Sequence, residues 1–152
     1  CVGGGCSIAL ACDFRFASDQ ATFAITPARL GLVYSLADTR RLTDAVGPAF
    51  AKEILFTGRM LSAAEADASG FVNRLYKDDM LDAAISEFAT ALTEASRFSI
   101  GATKAMMRLL QGAAQDDDAR ALALLVQSFS GPDFAEGFRA FLDKRKPRFP
   151  TR

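Results

Sequence analysis

The apolar positions change period several times along the chain, and each change marks an element. After Gly3-Gly4-Gly5, the small apolar run from Cys6 to Cys12 reads as a short, fully buried helix entered from a glycine turn. Phe14-Arg15-Phe16-Ala17 and Ala21-Thr22-Phe23-Ala24-Ile25 alternate as strands do, with a turn at Ser18-Asp19-Gln20 between them. Thr26-Pro27 reads as an N-cap followed by proline at the first helical position, opening a short turn that ends near Gly31.

From Ser35 the period becomes helical. Ser35 and Asp38 have capping-box spacing, Leu36, Thr39, Leu42 and Val46 recur on one face, Gly47 stops the run and Pro48 restarts a helix that Gly58 ends. Ser62 with Glu65 predicts a second capping box before a two-turn helix closed by Gly70, and Phe71 to Tyr76 reads as a strand. Asp78-Asp79 places negative charge at the start of a long amphipathic helix carrying Leu81, Ala84, Ile85, Phe88 and Leu92. Three more helical segments complete the chain: Ser99 to Gln111 with Ile100, Met107 and Leu110 as its apolar face, one opened by Asp116-Asp117-Asp118, and one from Asp133 to Leu142. The order is mixed α/β first and helical afterwards.

Composition narrows what such a chain can do. Half of its 152 residues are apolar, enough for a sizeable core. Eighteen basic residues balance eighteen acidic ones, which gives no general attraction to nucleic acid or to an anionic membrane, so neither is expected as a partner. The chain has no histidine, which removes His-based nucleophile systems and His-ligated metal sites, and no metal is expected. The three cysteines at positions 1, 6 and 12 lack disulfide or metal-site spacing, so a reducing, cytoplasmic setting is expected. No apolar run approaches the roughly 20 residues that span a bilayer. The chain opens inside a glycine turn without Met or a basic leader, so a preceding N-terminal portion is expected.

A glycine-rich turn feeding a helix directs unpaired backbone N–H groups and the positive end of the helix dipole at one point, which suits an oxyanion. The rest of the chain gives the Gly3-Gly4-Gly5 turn a context. Gly-Gly-Gly-Cys-x-x-Ala-x-x-Cys-Asp, Phe-Arg-Phe-Ala-Ser-Asp, Phe-Thr-Gly-Arg, the Ser-Ala-x-x-Ala helix ending at Gly70, and Ala140-Phe141-Leu142-Asp143-Lys144-Arg145-Lys146-Pro147 stand in order along it. Together they resemble the enoyl-CoA hydratase/isomerase (crotonase) superfamily from Cys1 to Phe149.

The resemblance implies an α/β crotonase-like spiral of ββα units, with residues 1–76 as the C-terminal part of the spiral core and residues 77–152 as a helical trimerisation region. It implies an acyl-CoA thioester as substrate, with coenzyme A entering only as part of that substrate and no other cofactor. One oxyanion N–H falls on Gly4 with Gly3 beside it, the other upstream of Cys1, and a homotrimer or dimer of trimers is the implied assembly. Gly3, Leu30, Phe141 and Lys144 are the implied substrate (CoA) contacts, the last two reaching the nucleotide, often across a subunit boundary.

The two hydratase glutamates do not carry over. Their positions are Ser7 and, without gaps, Pro27, neither of which replaces an acid or a base. Thr26-Pro27-x-x-Leu30-Gly31-x-x-Tyr34 is similar to the matching segment of methylmalonyl-CoA decarboxylase-like members. A carboxylate about 4 Å from a substrate carboxylate costs about 4 kcal/mol at an effective dielectric near 20. The missing glutamates therefore favour a malonyl-type decarboxylase with Gly4, Ser7, Thr26 and Tyr34 as its catalytic set. The alternatives are an enoyl-CoA hydratase or isomerase using an acid or base elsewhere, and a catalytically silent acyl-CoA-binding subunit. Structural readings stand beside these roles: Thr26 as an N-cap, Tyr34 as a phenol bonded to backbone, Ser7 as a small packing residue, and Arg40-Arg41 as helix-surface charges rather than a carboxylate site.

Overall fold

The computed structural model describes residues 1–110 and 117–149, so the predicted helix end at Gln111 and the predicted acidic start at Asp116 lie outside the described residues. The chain divides into two compact units, Cys1–Ile85 and Ser86–Arg152.

In the first unit, α1 (Gly4–Ala11) leads to β1 (Phe16–Ser18), β2 (Thr22–Ala24) and a 3-10 turn at Pro27–Leu30. The unit continues with α2 (Leu36–Thr57), β3 (Met60–Ser62), α3 (Ala63–Ala68), β4 (Arg74–Tyr76) and the start of α4 (Leu81–Thr93). The consecutive strands β1 and β2 do not pair with each other. β1 runs parallel to β4 in the register Phe16↔Arg74, and β2 runs antiparallel to β3 in the register Phe23↔Leu61. Val2 adds a parallel bridge to Ala24, which fixes the glycine turn beside β2.

The strands are shorter than their alternation predicts, and β3 has no counterpart in the predicted elements. Arg15 shows why β1 begins late: its N–H donates to Asn73 Oδ1 at 2.7 Å and its Nε to the Phe71 carbonyl at 2.6 Å. These bonds stand beside the 2.7 Å bond from the Asn73 N–H to the Arg15 carbonyl, and the paired register starts at Phe16. The core joins Cys6 and Leu10 of α1 to Phe23, Ile25, Leu42, Ile54, Leu61 and Phe71. Phe23 and Phe71 meet at a centroid distance of 5.2 Å, within the favourable range for ring pairs.

α1 is not fully buried as predicted. It packs on α2 with one face, so Cys6 and Leu10 are buried while Ile8 is 71% exposed. α2 keeps the predicted break as a kink: Gly47 has φ 75° and ψ 161°, a backbone that L side chains rarely adopt, and Pro48 follows it. The Ser62 and Glu65 capping box forms as spaced, with Glu65 N–H donating to Ser62 Oγ at 3.3 Å and Ser62 N–H donating to Glu65 Oε2 at 2.9 Å.

The second unit contains the rest of α4, α5 (Arg97–Leu110), α6 (Asp117–Ser130) and α7 (Pro132–Leu142), with α6 packed on both α5 and α7. α5 starts earlier than predicted because Ser96 caps it, its Oγ accepting from Ser99 N–H at 3.0 Å and donating to Asp133 Oδ2 at 2.5 Å. Ile100, Met107 and Leu110 are exposed, and the half-buried positions of α5 include Phe98, Ala102, Met106 and Leu109.

Candidate functional site

The glycine turn commits two of its three backbone N–H groups. Gly3 has φ 56°, which no L side chain adopts without strain, and its N–H is spent on the Ala24 carbonyl at 2.8 Å. Gly5 N–H is likewise spent on the Val2 carbonyl at 3.1 Å, whereas Gly4 N–H takes no part in the backbone bonds that close the turn. A Cβ built on Gly4 meets nothing within 4 Å, so its backbone lies open to a ligand. Helical spacing then places Ser7 on the same face as Gly4.

The fold brings Ser7 and Tyr34 together. Ser7 Oγ and Tyr34 Oη are 2.7 Å apart although they come from α1 and from the loop after Gly31. Both residues are half-buried. Burial pushes the Tyr34 phenol above its ordinary value, against the Ser7 hydrogen bond, and the charge of Asp38 acts in the same upward direction as burial. Tyr34 is thus a half-buried phenol that bonds the Ser7 side chain rather than backbone.

Asp38 is an acidic residue to which the sequence alone assigns only a cap. Ser35 does accept Asp38 N–H at 3.1 Å, but the Asp38 side chain turns to Ser35 Oγ, which donates to Oδ2 at 2.6 Å. Arg41 Nη1 donates to Oδ1 at 2.9 Å, so Arg41 is engaged within its own helix. The Ser35 hydroxyl, with Arg41 and the Ser7 hydroxyl, holds the Asp38 carboxyl below the ordinary carboxylate value. The available signal was the Tyr34 to Asp38 spacing, which puts both at the entrance of α2.

The other candidate residues are not all gathered here. Thr26 stands at the N-cap position of the 3-10 turn, but its side chain makes no cap bond, so the capping explanation does not hold for its hydroxyl. Leu30 ends that turn and is 69% exposed. Beside Tyr34, a cleft of about 470 Å³ is lined by Pro27, Ala28, Leu32, Val33, Leu55 and Phe56. Phe141 and Lys144 belong to the other unit. There Lys144 takes a left-handed backbone, φ 52°, and its N–H and that of Arg145 return to the Phe141 and Ala140 carbonyls at 3.3 and 3.0 Å. This Schellman arrangement fixes the exposed Phe141 and Lys144 next to each other at the end of α7. Among the described residues no group of three or more Cys, Asp or Glu is placed to hold a metal, and no helix is long and apolar enough to cross a membrane. All three cysteines are free thiols.

The family model for enoyl-CoA hydratase/isomerase matches residues 1–152. The chain is 33% identical to the crotonyl-CoA hydratase of Syntrophomonas wolfei over 97% of its own length, and 37% identical to the short-chain-enoyl-CoA hydratase of Clostridioides difficile over 70%. It covers 57% of the first of these relatives and 68% of the second. Its fold superposes on a crystal structure of an enoyl-CoA hydratase/isomerase family protein from Hyphomonas neptunium with a TM-score of 0.94 and 46% identity, covering all of this chain and 58% of that one. The chain thus spans about three-fifths of the length of most of the relatives it matches. These relatives are named as hydratases, which backs the hydratase alternative over the decarboxylase reading. The chain belongs to the enoyl-CoA hydratase/isomerase family and has the crotonase fold.

Proposed function

We propose that the whole protein hydrates a 2-enoyl-CoA thioester, with Gly4 N–H receiving the thioester oxygen as the enolate forms. The observation that carries this reading is the open Gly4 backbone beside the hydroxyl pair of Ser7 and Tyr34, which itself lies beside the Asp38 carboxylate. Donors directed at a developing oxyanion are worth several kcal/mol in such sites. Asp38 also bears on the electrostatic argument for decarboxylation, because its negative charge acts on the Tyr34 phenol at the site. The names of the relatives support the same choice.

In this proposal the apolar cleft beside Tyr34 takes the acyl chain, with Leu30 and Thr26 at its border. Phe141 and Lys144 contact the nucleotide of CoA, as a paired aromatic and cation can. Residues 1–76 complete the catalytic core, and residues 77–152 carry the contacts of a homotrimer or dimer of trimers in the cytoplasm.

The test is a mass-spectrometric assay of the protein, expressed from its complete reading frame, with crotonyl-CoA and methylmalonyl-CoA offered separately. Gain of one water by crotonyl-CoA supports the proposal. Loss of carbon dioxide from methylmalonyl-CoA restores the decarboxylase reading, and no change in either moves the weight to a silent acyl-CoA-binding subunit.

A further inference from the structure

Neither aligned glutamate position holds an acid or a base, yet two hydroxyls meet at the site. Ser7 Oγ and Tyr34 Oη lie 2.7 Å apart, and either oxygen can donate. Each hydroxyl carries one proton and two lone pairs, so the contact uses one of each and the pair keeps a donor and acceptors for a ligand. Burial first, and the charge of Asp38 after it, push the phenol above its ordinary value, so Tyr34 stays protonated at neutral pH and is no phenolate base. A hydroxyl pair needs no ionised member, however, if it takes up one proton as it gives another.

The groups also follow one another in an order that matches a substrate. Gly4, whose backbone is open, lies one helical turn before Ser7 on the same face of α1. Ser7 meets Tyr34, and Tyr34 lines the apolar cleft with Leu32, Val33, Leu55 and Phe56. Oxyanion donor, serine, phenol and apolar wall succeed each other as the thioester oxygen, C2, C3 and the acyl tail do in an enoyl thioester.

We propose that Ser7 and Tyr34 are the catalytic residues of hydration and act together as a neutral proton shuttle from the attacking water to C2. The inference rests on the acyl-CoA hydration reading. Water held at Tyr34 Oη bonds through its oxygen to C3, and the C2=C3 electron pair moves to C2, with part of the charge taken by the thioester oxygen at Gly4 N–H. The water proton passes to Tyr34 Oη, the Tyr34 proton to Ser7 Oγ, and the Ser7 proton to C2, where it forms the new C–H bond with that electron pair. Each hydroxyl ends with one proton, one water has been added, and no charged residue changes state. The phenol is the stronger acid of the two, which suits it to donate to the serine oxygen in this contact. The charged and titratable groups facing the phenol are Asp38, Cys6 and Arg41. Asp38 is held below the ordinary carboxylate range and burial raises the Cys6 thiol, so neither titrates between about pH 6 and pH 8.

The experiment reads kcat and KM for crotonyl-CoA between about pH 6 and pH 8 in the full-length protein, Ser7→Ala, Ser7→Thr, Tyr34→Phe and the variant carrying both Ser7→Ala and Tyr34→Phe, with circular dichroism checking each fold. A shuttle works only as a whole. Each single loss is therefore expected to lower kcat about 100-fold with KM little changed, and the double variant is expected to be no slower than the singles. Ser7→Thr, which keeps the hydroxyl, recovers part of the rate, and the parent kcat is flat across the range. Single variants within about threefold of the parent, losses that multiply in the double variant, or a parent kcat that follows an ionisation in this range each overturn the shuttle. If Ser7→Ala does not fold, Tyr34→Phe, which keeps the ring, and the pH profile decide by the same criteria. A parent that hydrates crotonyl-CoA while these criteria fail removes the shuttle and leaves the hydration reading; a parent that adds no water removes both.

Discussion

Glu65 shows how far one exposed side chain can be held by its neighbours. The backbone N–H of Ser62 bonds its carboxylate first of all, Arg59 adds a pair at 2.6 Å and the Ser62 hydroxyl a third contact, so its pKa falls to about 2. Glu136 reaches about 2 in the same way, through Arg145 and then the backbone N–H of Arg148. A depressed carboxyl contributes stability that is complete above its ordinary value near 4.5 and is lost as pH falls towards about 2. Acid titration followed by circular dichroism should therefore show helix loss in that window, and Glu65→Gln should flatten the slope; an unchanged slope would contradict the assigned shift. Glu65 was legible because both members of its box lie within one turn of sequence. Asp38 was equally legible as a cap, whereas the Ser7–Tyr34 contact was illegible because its two hydroxyls come from separate elements.

The elements were readable where a stop signal was local, and α2 is the clearest instance. Gly47 interrupts it in the left-handed region with empty space where a Cβ would stand, so the cost of a side chain there is conformational alone. Gly47→Ala is expected to destabilise the protein by about 1–3 kcal/mol, lowering the urea midpoint with an unchanged slope. A neutral effect would mean that the two halves of the helix can straighten. The strands were less readable because three residues hold too little alternation to fix an end. Met60-Leu61-Ser62 carries no strand signal of its own, since its register comes from β2 rather than from its own pattern. The exposed Ile100, Met107 and Leu110 make the complementary point: helical period finds an apolar face but does not say what covers it.

At the scale of the molecule, the helical unit leaves Leu122, Val126, Phe129, Phe138 and Phe141 exposed, more apolar surface than scattered single residues explain. Light scattering of the full-length protein at micromolar concentration is expected to give a mass of three or six chains, and a monomer would remove the assembly from the proposal. The family and the helical tail were evident from ordered motifs, whereas the Ser7–Tyr34 contact needed the fold to bring α1 and the loop before α2 together. A thiol sits directly behind that contact. Cys6 is buried, its thiol raised by burial and donating to the Cys1 carbonyl at 3.1 Å, while Cys1 and Cys12 are exposed. Cys6 precedes Ser7 in the same turn, and a reagent reaches its buried sulfur only when the structure around it opens. The protein thus carries its own clock: the rate at which this thiol is labelled counts how often that part of the core opens.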